Sequence, residues 1–169
     1  MDVDRKSRSV KFIICLLTLV LTLPTSAFAL FSNGDDAPDF TAQSLKGETV
    51  RLSDHRGNPI LLEMGTTWCP SCKEQAHQID KIRDFLKGKG VTYISVFLAD
   101  PVASIEGYLK DEKLAPPDQV LIDDGEARSN YLVLSIPRII LIDSQFRIIF
   151  DDMVLNADQL KTRIKQELH

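Results

Sequence analysis

The sequence predicts an α/β domain, a sheet with helices on both faces. Apolar runs of strand length at 59–64, 91–98, 138–142 and 147–150 alternate with stretches of helical periodicity. No repeat, low-complexity tract or linker divides them, and 169 residues give room for one domain. Hydrophobic residues make up 44% and charged residues 26%, the balance of a globular chain with a core.

Residues 1–29 stand apart. Arg5, Lys6, Arg8 and Lys11 form a basic leader. An apolar run over 12–23 follows, then Pro24 and the small-x-small step Ala27-Phe28-Ala29. These are the parts of a secretory signal peptide in their usual order. The apolar run is shorter than the ~20 residues of a membrane span. The other reading is an uncleaved N-terminal anchor, and both readings export the rest. Cys15 lies in mid-run behind Ile13-Ile14, without the small residues that precede a lipoprotein cysteine, and is read as packing.

The domain proper is expected over 33–169. A polar entry at 32–38 leads to a hairpin over 41–52, turning near Lys46-Gly47. Residues 54–58 are loop, and 59–64 a buried strand interrupted only by Glu63. Pro70 suits a first helical turn. Cys72, Ala76, Ile79, Ile82, Phe85 and Leu86 then keep helical spacing until Gly88 and Gly90 end it. A second buried strand spans 91–98. Asp100 reads as the N-cap of a helix running to about Glu112. After Pro116-Pro117 come a short extended piece at 120–122 and a short helix at 125–131. The third strand leaves Pro137 directly, residues 143–145 turn, and a fourth strand follows. Residues 156–168 form an amphipathic helix capped by Asn156.

Without residues 1–29 the chain holds 16 Lys+Arg against 22 Asp+Glu, a formal charge of −6. An acidic domain without a basic stripe excludes nucleic acid and anionic lipid as partners. Membrane contact is expected only through an uncleaved N-terminal segment.

Two cysteines remain, Cys69 and Cys72, too close in sequence to staple distant parts of a fold. In an exported chain such a pair reads as a working redox couple. Cys69 falls where a strand feeds a helix, and the free N–H groups of a helix start favour thiolate, the nucleophile of disulfide exchange. Cys69 is therefore expected to attack, and Cys72, one turn in and shielded, to resolve the mixed disulfide. A zinc site needs three or four ligands, and no second Cys-x-x-Cys or His-x-x-x-His is present, so no metal is expected. Glu63 carries two readings. A carboxyl in a buried strand is costly unless protonated, paired or functional, so it either relays protons to Cys72 with a raised pKa or turns to solvent at a sheet edge.

Thr67-Trp68-Cys69-Pro70-Ser71-Cys72-Lys73 resembles the active-site segment of thioredoxin-fold proteins. With Ala37-Pro38-Asp39-Phe40, Leu52-Ser53-Asp54, Ile136-Pro137 and Leu141-Ile142-Asp143, the chain from about Asp35 onward resembles the TlpA/ResA/CcmG group. The resemblance implies a thioredoxin-like fold: a central mixed β-sheet flanked by helices, with an N-terminal β-hairpin extension. It implies an exported thiol-disulfide oxidoreductase, periplasmic or inner-membrane anchored, using the Cys69–Cys72 disulfide and no other cofactor. Pro70-Ser71 resembles the spacer of the CcmG type, which points to a reductant of protein disulfides, as in cytochrome c maturation. The implied partners are protein dithiol/disulfide clients and an upstream membrane electron donor, with the protein a monomer. Pro137 becomes a cis-proline facing the disulfide. Trp68 and Ile136 become substrate-positioning residues, Ile136 through backbone groups offered to an extended chain. Thioredoxins also carry a buried acid six residues before the first active-site cysteine, the position of Glu63.

Three departures from the group stand out. Arg138 follows the proline where a small or threonine-like residue is common; its guanidinium stabilises the Cys69 thiolate, positions substrate by selecting acidic partners, or points to solvent. Met64-Gly65-Thr66 replaces an aromatic-rich stretch, and Gln145-Phe146 stands where a glycine turn is common. Two other functions stay open. A peroxiredoxin-like peroxidase would need Pro-x-x-x-Thr-x-x-Cys; Thr66 fits but Leu62 holds the proline position. A copper-binding thioredoxin-like module would use a three-residue spacer and a distant histidine, and the spacer here is two residues.

Overall fold

The computed structural model describes residues 31–168; the leader predicted over 1–29, with Cys15, and the terminal His169 lie outside the described residues. Seven strands form one sheet: β1 (Thr41–Ser44), β2 (Thr49–Arg51), β3 (Ile60–Gly65), β4 (Thr92–Leu98), β5 (Gln119–Asp123), β6 (Arg138–Ile142) and β7 (Ile148–Asp152). Their order is β2-β1-β5-β4-β3-β6-β7. The β3–β4 and β4–β5 pairs are parallel and the others antiparallel, so the sheet is mixed. The helices are α1 (Pro70–Asp80), α2 (Arg83–Gly88), α3 (Val102–Asp111), α4 (Glu126–Asn130) and α5 (Ala157–Glu167), with a 3-10 turn at Leu52–His55.

All six residues of β3 are buried, because the strand lies between β4 and β6 with helices on one face and the N-terminal segment on the other. Alternation splits its side chains between two cores. Ile60, Leu62 and Met64 join Phe40, Leu52, Tyr131 and Phe146. Leu61 joins Ile79, Leu86, Leu160 and Ile164 from α1, α2 and α5. Each such fully buried aliphatic side chain contributes ~1.5–3 kcal/mol. Glu63 shares the helical face with Leu61, since side chains two apart on a strand point the same way.

The hairpin, the four long strands and the Asn156-capped helix lie where the sequence places them. Three details differ. The single helix expected from Pro70 to Leu86 is two. The ladder breaks at Ile82, whose N–H turns to the Ile79 carbonyl. Arg83 then folds inward, donating to the Pro116 carbonyl at 2.9 Å with its guanidinium 4.9 Å from the Tyr93 ring centre. Apolar spacing continues through the break and so conceals it. Secondly, α3 has Pro101 at its N-cap and no side-chain cap; Asp100 is engaged elsewhere. Thirdly, Phe146 takes the left-handed backbone (φ 70°) that a glycine would favour. That conformation costs a non-glycine about 1–2 kcal/mol. Burying the ring, with the Arg56 guanidinium 4.2 Å above it, offsets the cost.

Candidate active site

The site forms where β3 ends and α1 begins. Cys69 is the N-cap of α1, with extended backbone, and Pro70 occupies the first turn. Cys69 and Cys72 form a disulfide, with Cα atoms 5.2 Å apart. The Cys69 sulfur accepts the Cys72 N–H at 3.2 Å and the Ser71 hydroxyl, also at 3.2 Å; a disulfide sulfur carries no proton, so the hydroxyl is the donor. On reduction the same two donors face the Cys69 thiolate. Exposure does not separate the cysteines as expected, since each is 5% exposed in the disulfide. What separates them is position: Cys69 at the helix start with two donors, Cys72 inside the first turn against the sheet.

Gly65 makes that second position possible. A Cβ at residue 65 would lie 3.1 Å from the Cys72 sulfur and 3.2 Å from its Cβ. The Met64-Gly65-Thr66 departure therefore has a packing reason. Glu63 lies two residues back on the same strand face, about 6.6 Å along the strand. It is 4% exposed, so the sheet-edge reading of this residue is overturned: β3 is a central strand and Glu63 faces the helices. Burial raises its pKa from 4.5 to about 7, although a hydrogen bond from the Tyr93 hydroxyl favours the ionised form.

Register brings the proline to the same end of the sheet. Arg138 pairs with Met64, so the next position along, Pro137, falls beside Gly65. The Ile136–Pro137 bond is cis, and Pro137 is buried while Ile136 is partly exposed. Trp68 is 72% exposed immediately before Cys69. Arg138 does not point to solvent. It is buried, ion-paired with Asp151, and donates to the Tyr131 and Leu132 carbonyls at 2.6 and 3.2 Å. A guanidinium committed in this way ties β6 to β7 and to the segment preceding the proline.

Three residues of this region escaped sequence reading. Asp100 accepts the Thr67 N–H at 2.8 Å and its hydroxyl at 3.1 Å, holding the turn that carries Trp68 and Cys69. Its signal was ambiguous, because Asp before Pro reads as a cap. Gln75 is fully buried and pairs with both backbone groups of Leu155, although its place among the polar residues after Cys72 gives no sign of it. Tyr93 reads as one more apolar strand residue. Among the described residues no cluster of His, Cys, Asp and Glu is arranged to hold a metal, and no helix is long and apolar enough to cross a membrane.

A family model described as the AhpC/TSA family matches residues 33–150. The chain is 30% identical over 140 residues to the thiol-disulfide oxidoreductase ResA of Geobacillus kaustophilus, covering 80% of this chain and 79% of the relative. It is 25% identical to ResA of Bacillus subtilis, covering 81% and 78%. The solution structure of a thiol:disulfide interchange protein from Bacteroides sp. superposes with a TM-score of 0.72 at 24% identity, over 82% of this chain and 91% of that one, which shows a shared fold.

Proposed function

Since the chain belongs to the AhpC/TSA family of thioredoxin-like proteins and is a thiol-disulfide oxidoreductase, we infer that it is an exported reductant of protein disulfides working through Cys69 and Cys72. The observation that carries this reading is the Cys69–Cys72 disulfide at the start of α1, with a buried carboxyl on the strand face against which Cys72 lies.

In the reduced protein the Cys69 thiolate attacks a client disulfide. One client sulfur leaves as thiolate and the other is held in a mixed disulfide with Cys69. Cys72 then yields its proton to the Glu63 carboxylate and attacks the Cys69 sulfur, forming the internal disulfide. Two electrons pass to the client, which leaves with both sulfurs reduced. Trp68, the backbone of Ile136 and Pro137 position the client chain, and Arg138 supports that segment from behind through its bonds to the Tyr131 and Leu132 carbonyls.

The Pro70-Ser71 spacer and the resemblance to the TlpA/ResA/CcmG group support the reducing direction, with apocytochrome c disulfides as a client class. The basic and apolar leader supports export, with residues 33–169 as the working domain. An upstream membrane dithiol donor regenerates the pair, and the protein acts as a monomer that needs no cofactor beyond its own cysteines. A redox titration of the Cys69–Cys72 pair tests the direction. The expected potential lies well below that of the oxidant of the exported compartment. A strongly oxidising potential would overturn it.

A further inference from the structure

We propose that Tyr93 is a positioning residue for the redox reaction: its hydroxyl holds the Glu63 carboxyl in place against β4 and biases it toward the ionised form that accepts the Cys72 proton. The inference rests on the reading of Glu63 as the proton acceptor for Cys72.

The geometry begins in the sheet. β3 and β4 run parallel with Glu63 opposite Ser95. Tyr93 lies two residues from Ser95 on the same face of β4, so its ring stands beside the Glu63 side chain. Its hydroxyl donates to Glu63 Oε2 and makes no other hydrogen bond among the described residues. Both groups are buried, and a buried carboxyl without a donor would bear the full desolvation cost of its ionised form. A donor that serves the anion more than the acid pulls the equilibrium toward the anion. Tyrosine suits this task better than lysine or arginine, since it adds no charge that would lock the carboxylate.

The surroundings allow the proton to move on. A cavity of about 20 Å³, the size of roughly one water, is lined by Glu63, Tyr93, Ser95 and Tyr108 together with Asp80 and Ala115. The titratable and charged groups around the carboxyl come from each element packed on it. Tyr93 is on β4, Asp80 on α1, and Tyr108 on α3. Arg83 of α2 stacks on the Tyr93 ring, 4.9 Å from its centre. Beyond Tyr108, Glu112 binds Lys73 at 2.9 Å and His77 at 3.0 Å. Among the described residues only Tyr93 hydrogen-bonds the Glu63 carboxyl.

The test is Tyr93→Phe, which removes the hydroxyl and keeps the ring. In wild type, the rate of insulin disulfide reduction should rise through the Glu63 ionisation. In Tyr93→Phe that rise should move to higher pH by about 1 unit, with the plateau rate retained. Tyr108→Phe, which removes a hydroxyl from the same cavity but not from the carboxyl, should leave the rise in place. An unmoved rise in Tyr93→Phe, or an equal shift in Tyr108→Phe, overturns the inference. Glu63→Gln separates the two levels: a rise that persists in it sinks the proton-acceptor reading, whereas a rise that vanishes in it but stays put in Tyr93→Phe sinks only the role of Tyr93. A measurement on the unaltered chain covers a variant that does not fold. The Tyr93 ring-carbon NMR shift next to the hydroxyl should titrate together with the Glu63 carboxyl, and a flat response overturns the proposal.

Discussion

Cys72 can lie against β3 because residue 65 has no side chain, and this one absence brings the resolving sulfur onto the face that carries Glu63. At the other sulfur the balance is set by donors. Cys69 faces the Ser71 hydroxyl and the Cys72 N–H, each at 3.2 Å. Both donors serve a thiolate better than a disulfide sulfur. Ser71→Ala should therefore destabilise the reduced form by about 1.4 kcal/mol and lower the reduction potential by about 30 mV, read by equilibration with glutathione. An unchanged potential would show that the backbone donor alone decides. Cys69, Cys72 and Glu63 were legible in the sequence because each breaks a local pattern: two cysteines at a strand-to-helix step, one acid in an apolar run. Tyr93 and Asp100 were not. Their partners lie 30 and 33 residues away, and only pairing of β4 beside β3 brings them together.

Between elements, buried polar side chains decide how loops are tied to the sheet. Gln75 of α1 forms a two-bond clamp on Leu155, donating to its carbonyl at 3.0 Å and accepting its N–H at 2.8 Å. Leu155 lies between β7 and the N-cap of α5, so the clamp seats α5 against the helix that carries Cys72. Gln75→Ala should leave two buried backbone groups without partners and cost about 2–3 kcal/mol. Urea unfolding should show the loss, and hydrogen exchange at the Leu155 amide should quicken more than at the centre of β3. Arg138 does comparable work on the opposite side, bridging β6, β7 and the segment before Pro137. Neither role could be read from periodicity, which classes a glutamine three residues after Cys72 as a helix surface residue. Periodicity likewise runs through the break between α1 and α2, because Ile79, Ile82 and Leu86 stay in one core on both sides of it.

For the molecule as a whole, a buried acid makes stability depend on pH. The folded-state pKa of Glu63 is raised from 4.5 to about 7, so the folded protein binds a proton that the unfolded chain has already released between those values. Stability linked to this group is fully present below pH 4.5 and is lost as pH rises through about 7. The loss should total about 3 kcal/mol for the wild type and be absent in Glu63→Gln, measured by urea unfolding across that range. A wild-type profile as flat as that of the variant would contradict the burial of the carboxyl. By itself the sequence determined the order of strands and helices, the redox pair and the presence of an acid in the apolar run before it, because periodicity, turn residues and a charge in an apolar run are local signals. Only the tertiary structure decided that β3 lies at the centre of the sheet, that Glu63 therefore faces inward to Tyr93, and that Arg138, Gln75 and Asp100 serve as ties. Those outcomes depend on which strands become neighbours, and a neighbour in space leaves no mark at its partner's position in the chain.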